Sequence, residues 1–211
     1  MDALSGYLIT FEGSEGCGKT TQINALAKRL EGQGKTVQIT REPGGTVIGE
    51  KIRELLQDPK HSNEISALTE LLLFSASRSQ LISSVIQPAL ERGEIVISDR
   101  FYDSTLVYQG LGRSIDRSLI EQINTLTVGS LVPDLTILLD LDAEVGIARA
   151  KQRQSGELDR IETESLEFFQ AVREGYLKLA EAEADRFIVL DGLLPVDQIE
   201  EQVWQAIKAS I

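Results

Sequence analysis

The sequence predicts an α/β fold built on an open, five-stranded parallel sheet with helices on both faces. Three observations predict it: short apolar runs recur along the 211 residues, longer stretches of helical periodicity separate them, and the first run leads at once into a glycine-rich turn and an amphipathic helix. With 42% hydrophobic and 26% charged residues the chain sits near the soluble globular average, so a sizeable core is expected and disorder is not. One domain over residues 1–211 is expected, since open sheets of this size commonly fold as one unit.

The elements follow in order. Tyr7 to Phe11 is the first strand, and the helix after its glycine turn carries Ile23, Leu26, Ala27 and Leu30 on one face. Val37 to Thr40, Ile95 to Ser98, Leu135 to Leu139 and Phe187 to Leu190 are the remaining strands. His61, after Asp58-Pro59-Lys60, reads as exposed loop, and Trp204, flanked by Val203 and Ile207, packs a C-terminal helix. Arg149 to Arg160, interrupted by Ser155-Gly156, is the candidate mobile segment, a short lid at about 149–160. In such sheets ligands gather at the carboxyl ends of the strands.

Composition excludes several classes. A formal net charge of -12 argues against a nucleic-acid-backbone binder, so any anionic ligand has to be held by local arginines. The single cysteine, Cys17, excludes an intrachain disulfide framework, and with His61 the only histidine no zinc ligand set is evident. Met1 to Ser5 lacks a basic n-region, and no apolar run approaches the roughly 18 residues of a membrane span. A cytoplasmic location without membrane attachment is expected.

The chemistry starts at Gly13-Ser14-Glu15-Gly16-Cys17-Gly18-Lys19-Thr20, which fills the Gly-x-x-x-x-Gly-Lys-Thr pattern between a strand and a helix. Glycines let successive N–H groups converge on a phosphate, Lys19 supplies charge at the β/γ oxygens, and the Thr20 hydroxyl suits Mg²⁺. The helix beginning near Gly18 adds the positive end of its dipole. A P-loop NTPase fold follows. Cys17 reads as a small residue at a variable loop position rather than a reactive thiol. The chain has no Asn-Lys-x-Asp guanine motif and no Asp-x-x-Gly switch after a strand, so a signalling GTPase is not indicated. Arg41 and Arg100 instead fall at the ends of the second and third strands, which implies a second anionic substrate, and Asp99 stands where a Mg²⁺-organising carboxylate is expected.

Phe11-Glu12-Gly13 to Thr20, Arg41-Glu42-Pro43-Gly44-Gly45, Leu73-Phe74-Ser75-Ala76-Ser77-Arg78, Asp99-Arg100-Phe101, Tyr108-Gln109-Gly110 and Leu158-Asp159-Arg160-Ile161-Glu162 run in one order and together resemble bacterial thymidylate kinase. The resemblance covers most of the chain. It implies transfer of a phosphoryl group from ATP to dTMP with Mg²⁺, in a homodimer. It implies that Gly13 to Thr21 hold ATP, that Arg41 and Arg100 clamp the dTMP phosphate, and that Phe74 and Arg78, four apart on a helix, stack on thymine and bond its carbonyl. Thr105 is implied at the pyrimidine edge, with Gln109 also in the acceptor site, Tyr108 against the sugar and Glu15 facing the 3′-hydroxyl. Because Ser14, Glu15, Gly16 and Cys17 bring no positive charge, the segment resembles the subclass with its catalytic arginine in the lid: Arg153 for the finger, Arg149 for stacking on adenine, Arg160 for lid support or phosphate contact. Two other readings stay open at this level: a P-loop kinase for another nucleotide or deoxynucleoside, and a non-catalytic nucleotide-binding regulator.

Overall fold

The computed structural model describes residues 5–62, 64–153 and 159–208, Arg153 by its backbone alone. Five strands, β1 (Tyr7–Glu12), β2 (Val37–Arg41), β3 (Ile95–Asp99), β4 (Leu135–Asp140) and β5 (Phe187–Asp191), form one parallel sheet in the order β2-β3-β1-β4-β5. The helices are α1 (Lys19–Glu31), α2 (Val47–Gln57), α3 (Ala67–Leu81), α4 (Gln87–Glu91), α5 (Tyr102–Thr105), α6 (Arg117–Val128), α7 (Ala143–Arg153), α8 (Leu166–Ala182) and α9 (Val196–Ile207). Wider-wound turns at Ile82–Ile86 and Leu106–Gly112 extend α3 and α5.

Side chains alternate across the pleat, so each central strand feeds two cores. Ile9 and Phe11 of β1, with Ile97 and Ile137, pack with Leu26 and Leu30 of α1 and Val203 and Ile207 of α9. Leu8 and Val96 turn the other way, onto Leu81, Ile86, Leu90 and Phe101, while Leu138 meets Phe169, Val172 and Tyr176 of the α8 side. Burial on both faces is why the strands read as nearly continuous apolar runs.

Each of the five strands runs one residue beyond the run that predicts it, and the extra residue is Glu12, Arg41, Asp99, Asp140 or Asp191. Backbone pairing continues there, but the side chains have reached the edge where ligands bind. Trp204 lies on α9 under the Arg29 guanidinium, 4.3 Å from the ring centroid. His61 ends a short 3₁₀ turn and sits 2.7 Å from Glu64. Among the described residues no helix is long and apolar enough to cross a membrane.

Candidate active site

The start of α1 differs from those of four other long helices. Thr46, Ser66, Asp116 and Ser165 cap α2, α3, α6 and α8 by accepting N–H groups of the first turn. α1 starts after Gly18, at φ +97°, with no side-chain cap and no acidic residue in its first turn. Its free N–H groups and dipole end are thus open to an anion. The loop before it closes back on its own lysine: Lys19 Nζ donates to the carbonyls of Gly13 (3.1 Å) and Ser14 (3.0 Å) and lies 3.5 Å from Cys17 Sγ. Gly16, at φ +69°, meets the chain of α7 so closely that a Cβ there would lie 2.3 Å from the Gly146 carbonyl oxygen. Gly146 in turn leaves no room for a Cβ beside the Glu15 carbonyl. This contact, which the sequence did not disclose, brings Arg149 beside the loop, where its Nη1 donates to the Gly192 carbonyl at 3.0 Å. Cys17 is more than a tolerated small residue: it is 2% exposed and packs in the core with Phe11 and Ile137. Thr20 Oγ1 donates to Asp99 Oδ2 at 3.3 Å, so the two residues expected at a magnesium ion do meet.

Across the same cavity, of about 640 Å³, lie the strand-end arginines. Arg100 has a left-handed backbone, φ +72°, unusual for a residue with a side chain. Its Nη2 reaches Glu15 Oε1 at 2.6 Å, and its Nη1 donates to Gly13 O, Tyr176 OH and Ser104 Oγ at 3.0, 3.2 and 3.3 Å. Tyr108 lies under the guanidinium, 4.9 Å from centroid to Cζ, and its hydroxyl donates to Glu15 Oε1 at 3.2 Å. Arg41 is exposed and pairs with Glu50 at 2.9 Å. Glu50 carries its charge readily: its partial burial is outweighed by the Gly45 N–H and Arg41, which hold its carboxyl below the usual range.

Glu15, Gly16, Cys17, Gly18, Lys19, Thr20, Thr21, Arg41, Phe74, Asp99, Arg100, Thr105, Tyr108, Gln109 and Arg149 all line this cavity. Gly13 and Ser14 form the loop behind it. Arg78 is also behind the wall, 1% exposed, with Nε on Glu42 (2.7 Å), Nη1 on Asn124 (3.2 Å) and Nη2 on Thr105 Oγ1 (2.8 Å) and the Phe101 carbonyl (3.4 Å). These four bonds use four of its five N–H donors. Gln109 is turned by its amide toward Glu70, 2.9 Å away. Arg160 is not among the residues that line the cavity; it is buried, with Nε on the Leu56 carbonyl (2.7 Å) and Nη2 against Glu70 (2.6 Å). The side chain of Arg153 lies outside the described residues, as do Ser155, Gly156 and Leu158.

Several cavity residues escaped the sequence reading. Arg53 donates to the Pro43 carbonyl at 3.0 Å and, with Gln57 four residues on, faces the cavity from α2; that spacing on a helix with apolar residues elsewhere was the available signal. Ser104, also in the cavity lining, carried none, nor did Tyr176, which is buried outside that lining. Glu12 and Glu42 are buried carboxyls. Burial pushes Glu42 up against the opposing pull of Arg78, and burial with the nearby Asp103 pushes Glu12 up to about 7.

An uncapped helix behind a phosphate loop, facing a second set of cationic groups across one cavity, defines a P-loop NTPase fold equipped for two anionic ligands. The family model for thymidylate kinase matches residues 11–203, and the chain belongs to the thymidylate kinase family. It is 50% identical to the thymidylate kinase of Deinococcus radiodurans over 202 residues, 96% of each chain. It is 52% identical to that of Pelobacter propionicus, over 94% of this chain and 92% of the other. The crystal structure of thymidylate kinase from Ehrlichia chaffeensis superimposes with a TM-score of 0.78 at 35% identity, covering 96% of this chain and 98% of that one.

Proposed function

We infer that the protein transfers the γ-phosphoryl group of ATP to the phosphate of dTMP, giving dTDP. Family membership over nearly the whole chain supports the reaction, and one observation carries its assignment to this site: the uncapped start of α1 faces Arg41 and Arg100 across a single cavity. Phosphoryl transfer needs alignment and charge compensation more than covalent help. Lys19, satisfied by carbonyls of its own loop, gains charge-assisted partners in the β and γ oxygens of ATP. Arg100, paired with Glu15, exchanges that carboxylate for the dTMP phosphate, which releases Glu15 for the sugar 3′-hydroxyl. Phe74 and Thr105 lie where the base enters, with the remaining N–H of Arg78 behind them, and Arg53 joins Arg41 as a further cation on the acceptor side. Arg149 is assigned to the adenine, and Arg153 to the transferring group.

Thr20 and Asp99 offer hard oxygen donors suited to Mg²⁺. Among the described residues no cluster of three or more metal-binding side chains exists, which fits an ion held by one or two protein groups with substrate phosphates. Bound there, the ion would offset phosphate charge. The catalytic unit is assigned to the single domain 1–211 with the lid at about 149–160. A homodimer is supported by the exposed Val47, Ile48 and Leu55 on α2 and Leu68 and Leu72 on α3.

ADP release measured with dTMP, dUMP, dCMP, AMP and thymidine in turn tests the assignment. dTMP should lead dUMP by the modest factor one methyl is worth, about 1–3 kcal/mol, and dCMP by more, because an amino group cannot accept from Arg78. Faster turnover of AMP or thymidine would indicate a kinase for another acceptor, and no ADP with any of the five would indicate a binding protein.

A further inference from the structure

Glu12 is fully buried, lies outside the phosphate loop, and has every oxygen pointed at the surroundings of one residue, Arg100. Its Oε1 accepts the N–H of Phe101 at 2.8 Å, the peptide directly after the left-handed Arg100. The Arg100 N–H goes to the Phe11 carbonyl (3.0 Å) and its carbonyl accepts from Ser98 Oγ (2.7 Å), so Glu12 supplies the third restraint on a backbone that the side chain disfavours. Its Oε2 accepts from Ser104 Oγ and from Tyr176 OH, each at 2.7 Å. A hydroxyl has one proton. When Glu12 is ionised it can accept both protons, the 2.8 Å contact between the two hydroxyls then carries none, and their lone pairs face Arg100 Nη1, which donates to them at 3.3 and 3.2 Å. The carboxyl therefore sets the polarity of two hydroxyls that Arg100 uses as acceptors, while its own distance to Nη1 is 4.0 Å.

We propose that Glu12 is a positioning residue of the acceptor site, holding Arg100 in the conformation that receives the acceptor phosphate, through the Phe101 peptide and through the hydroxyls of Ser104 and Tyr176. The inference rests on the reading of Arg100 as a phosphate clamp. Charge alone makes the opposite demand: taking a carboxylate away from beside an arginine favours an incoming anion, so the sign of the effect separates positioning from electrostatics. An amide in place of the carboxyl presents two N–H donors to hydroxyls that must then turn their protons toward the guanidinium, leaving donor against donor.

The test is steady-state kinetics of the full chain with dTMP and ATP varied separately, at about pH 8, above the value near 7 at which Glu12 ionises. Glu12→Gln should raise the dTMP KM by about tenfold, a shift of about 1.4 kcal/mol, and leave the ATP KM within about twofold. Tyr176→Phe should raise the dTMP KM by a smaller factor, and the double variant should be no worse than Glu12→Gln alone, because the tyrosine acts through the same carboxyl. An unchanged or lowered dTMP KM in Glu12→Gln, or an equal rise in both KM values, overturns the proposal. If Glu12→Gln fails to fold, Ser104→Ala/Tyr176→Phe keeps the carboxyl and removes both relays: a selective rise in dTMP KM supports the proposal, and a wild-type dTMP KM overturns it. Arg100→Ala is measured in parallel. If it leaves the dTMP KM unchanged, the clamp reading fails; if it raises that KM while the Glu12 and relay variants do not, only the role of Glu12 fails.

Discussion

The two sides of the cavity are held together in different ways. On the side proposed for ATP, Lys19 finds its partners two, five and six residues away, and the proposed anion site is the open end of the helix that Lys19 begins. On the side proposed for dTMP, Arg100 meets Glu15 and Tyr176 across 85 and 76 residues, Arg78 meets Glu42 across 36, and Tyr176 meets Glu12 across 164. One side is a local backbone device, the other a buried network of charges and hydroxyls from four elements. A backbone device binds any nucleotide phosphate, and the specific acceptor needs side chains whose placement is over-determined. Removing one member of such a network leaves its partners buried and uncompensated, so substitutions within that buried network should combine loss of binding with loss of stability.

Four measurements sharpen or break this contrast. The largest effect belongs to Arg153, assigned to the developing charge: Arg153→Ala should lower kcat by roughly 10³ or more and scarcely change the dTMP KM. If Arg149→Ala collapses kcat instead, the finger is a different arginine; if both variants turn over normally, the donor side does not depend on the lid. Lys19→Ala should cost about 10²–10³ in kcat with an unaltered unfolding transition, since its contacts are to exchangeable loop carbonyls. Near-normal activity in that folded variant would remove the phosphate-loop assignment. Arg41→Ala should raise the dTMP KM by about tenfold or more, the worth of a charged hydrogen bond, at little cost in stability, because Arg41 is exposed and its ion partner Glu50 is itself partly exposed. A change confined to the ATP KM would place Arg41 on the other side.

The smallest effect concerns pH. Glu12 keeps its proton up to about 7 in the folded protein, against an ordinary value of 4.5, so between these pH values the folded state holds a proton that the unfolded chain has released. Its contribution to stability is present in full below about 4.5 and is lost as pH rises through about 7, with a limiting slope of about 1.4 kcal/mol per pH unit. Urea midpoints from pH 5 to 8 should fall more steeply for the wild type than for Glu12→Gln. Parallel curves would mean that Glu12 does not carry that proton.

Much of this was legible before any coordinates. All five strands, their parallel arrangement and the phosphate loop follow from local pattern, since apolar runs, glycine spacing and helical periodicity act over a few residues. Arg41, Arg100 and Asp99 were locatable because a strand end is itself a local feature, and even the one-residue error at every strand end fell on the charged residues that face the ligand edge. Phe74, Arg78, Thr105, Tyr108, Gln109 and Glu15 came from resemblance, and nothing in their spacing alone set their roles. What only the tertiary structure decided is long-range: that Arg78 stands behind the wall with four donors occupied, that α7 docks through Gly16 and Gly146, that Arg53 faces the cavity, and that Glu12, Ser104 and Tyr176 converge on Arg100. The reason is physical. A buried polar group needs a partner but does not specify where along the chain that partner comes from, and only the packing of β1, α5 and α8 brings one carboxyl to two hydroxyls and the backbone beside an arginine.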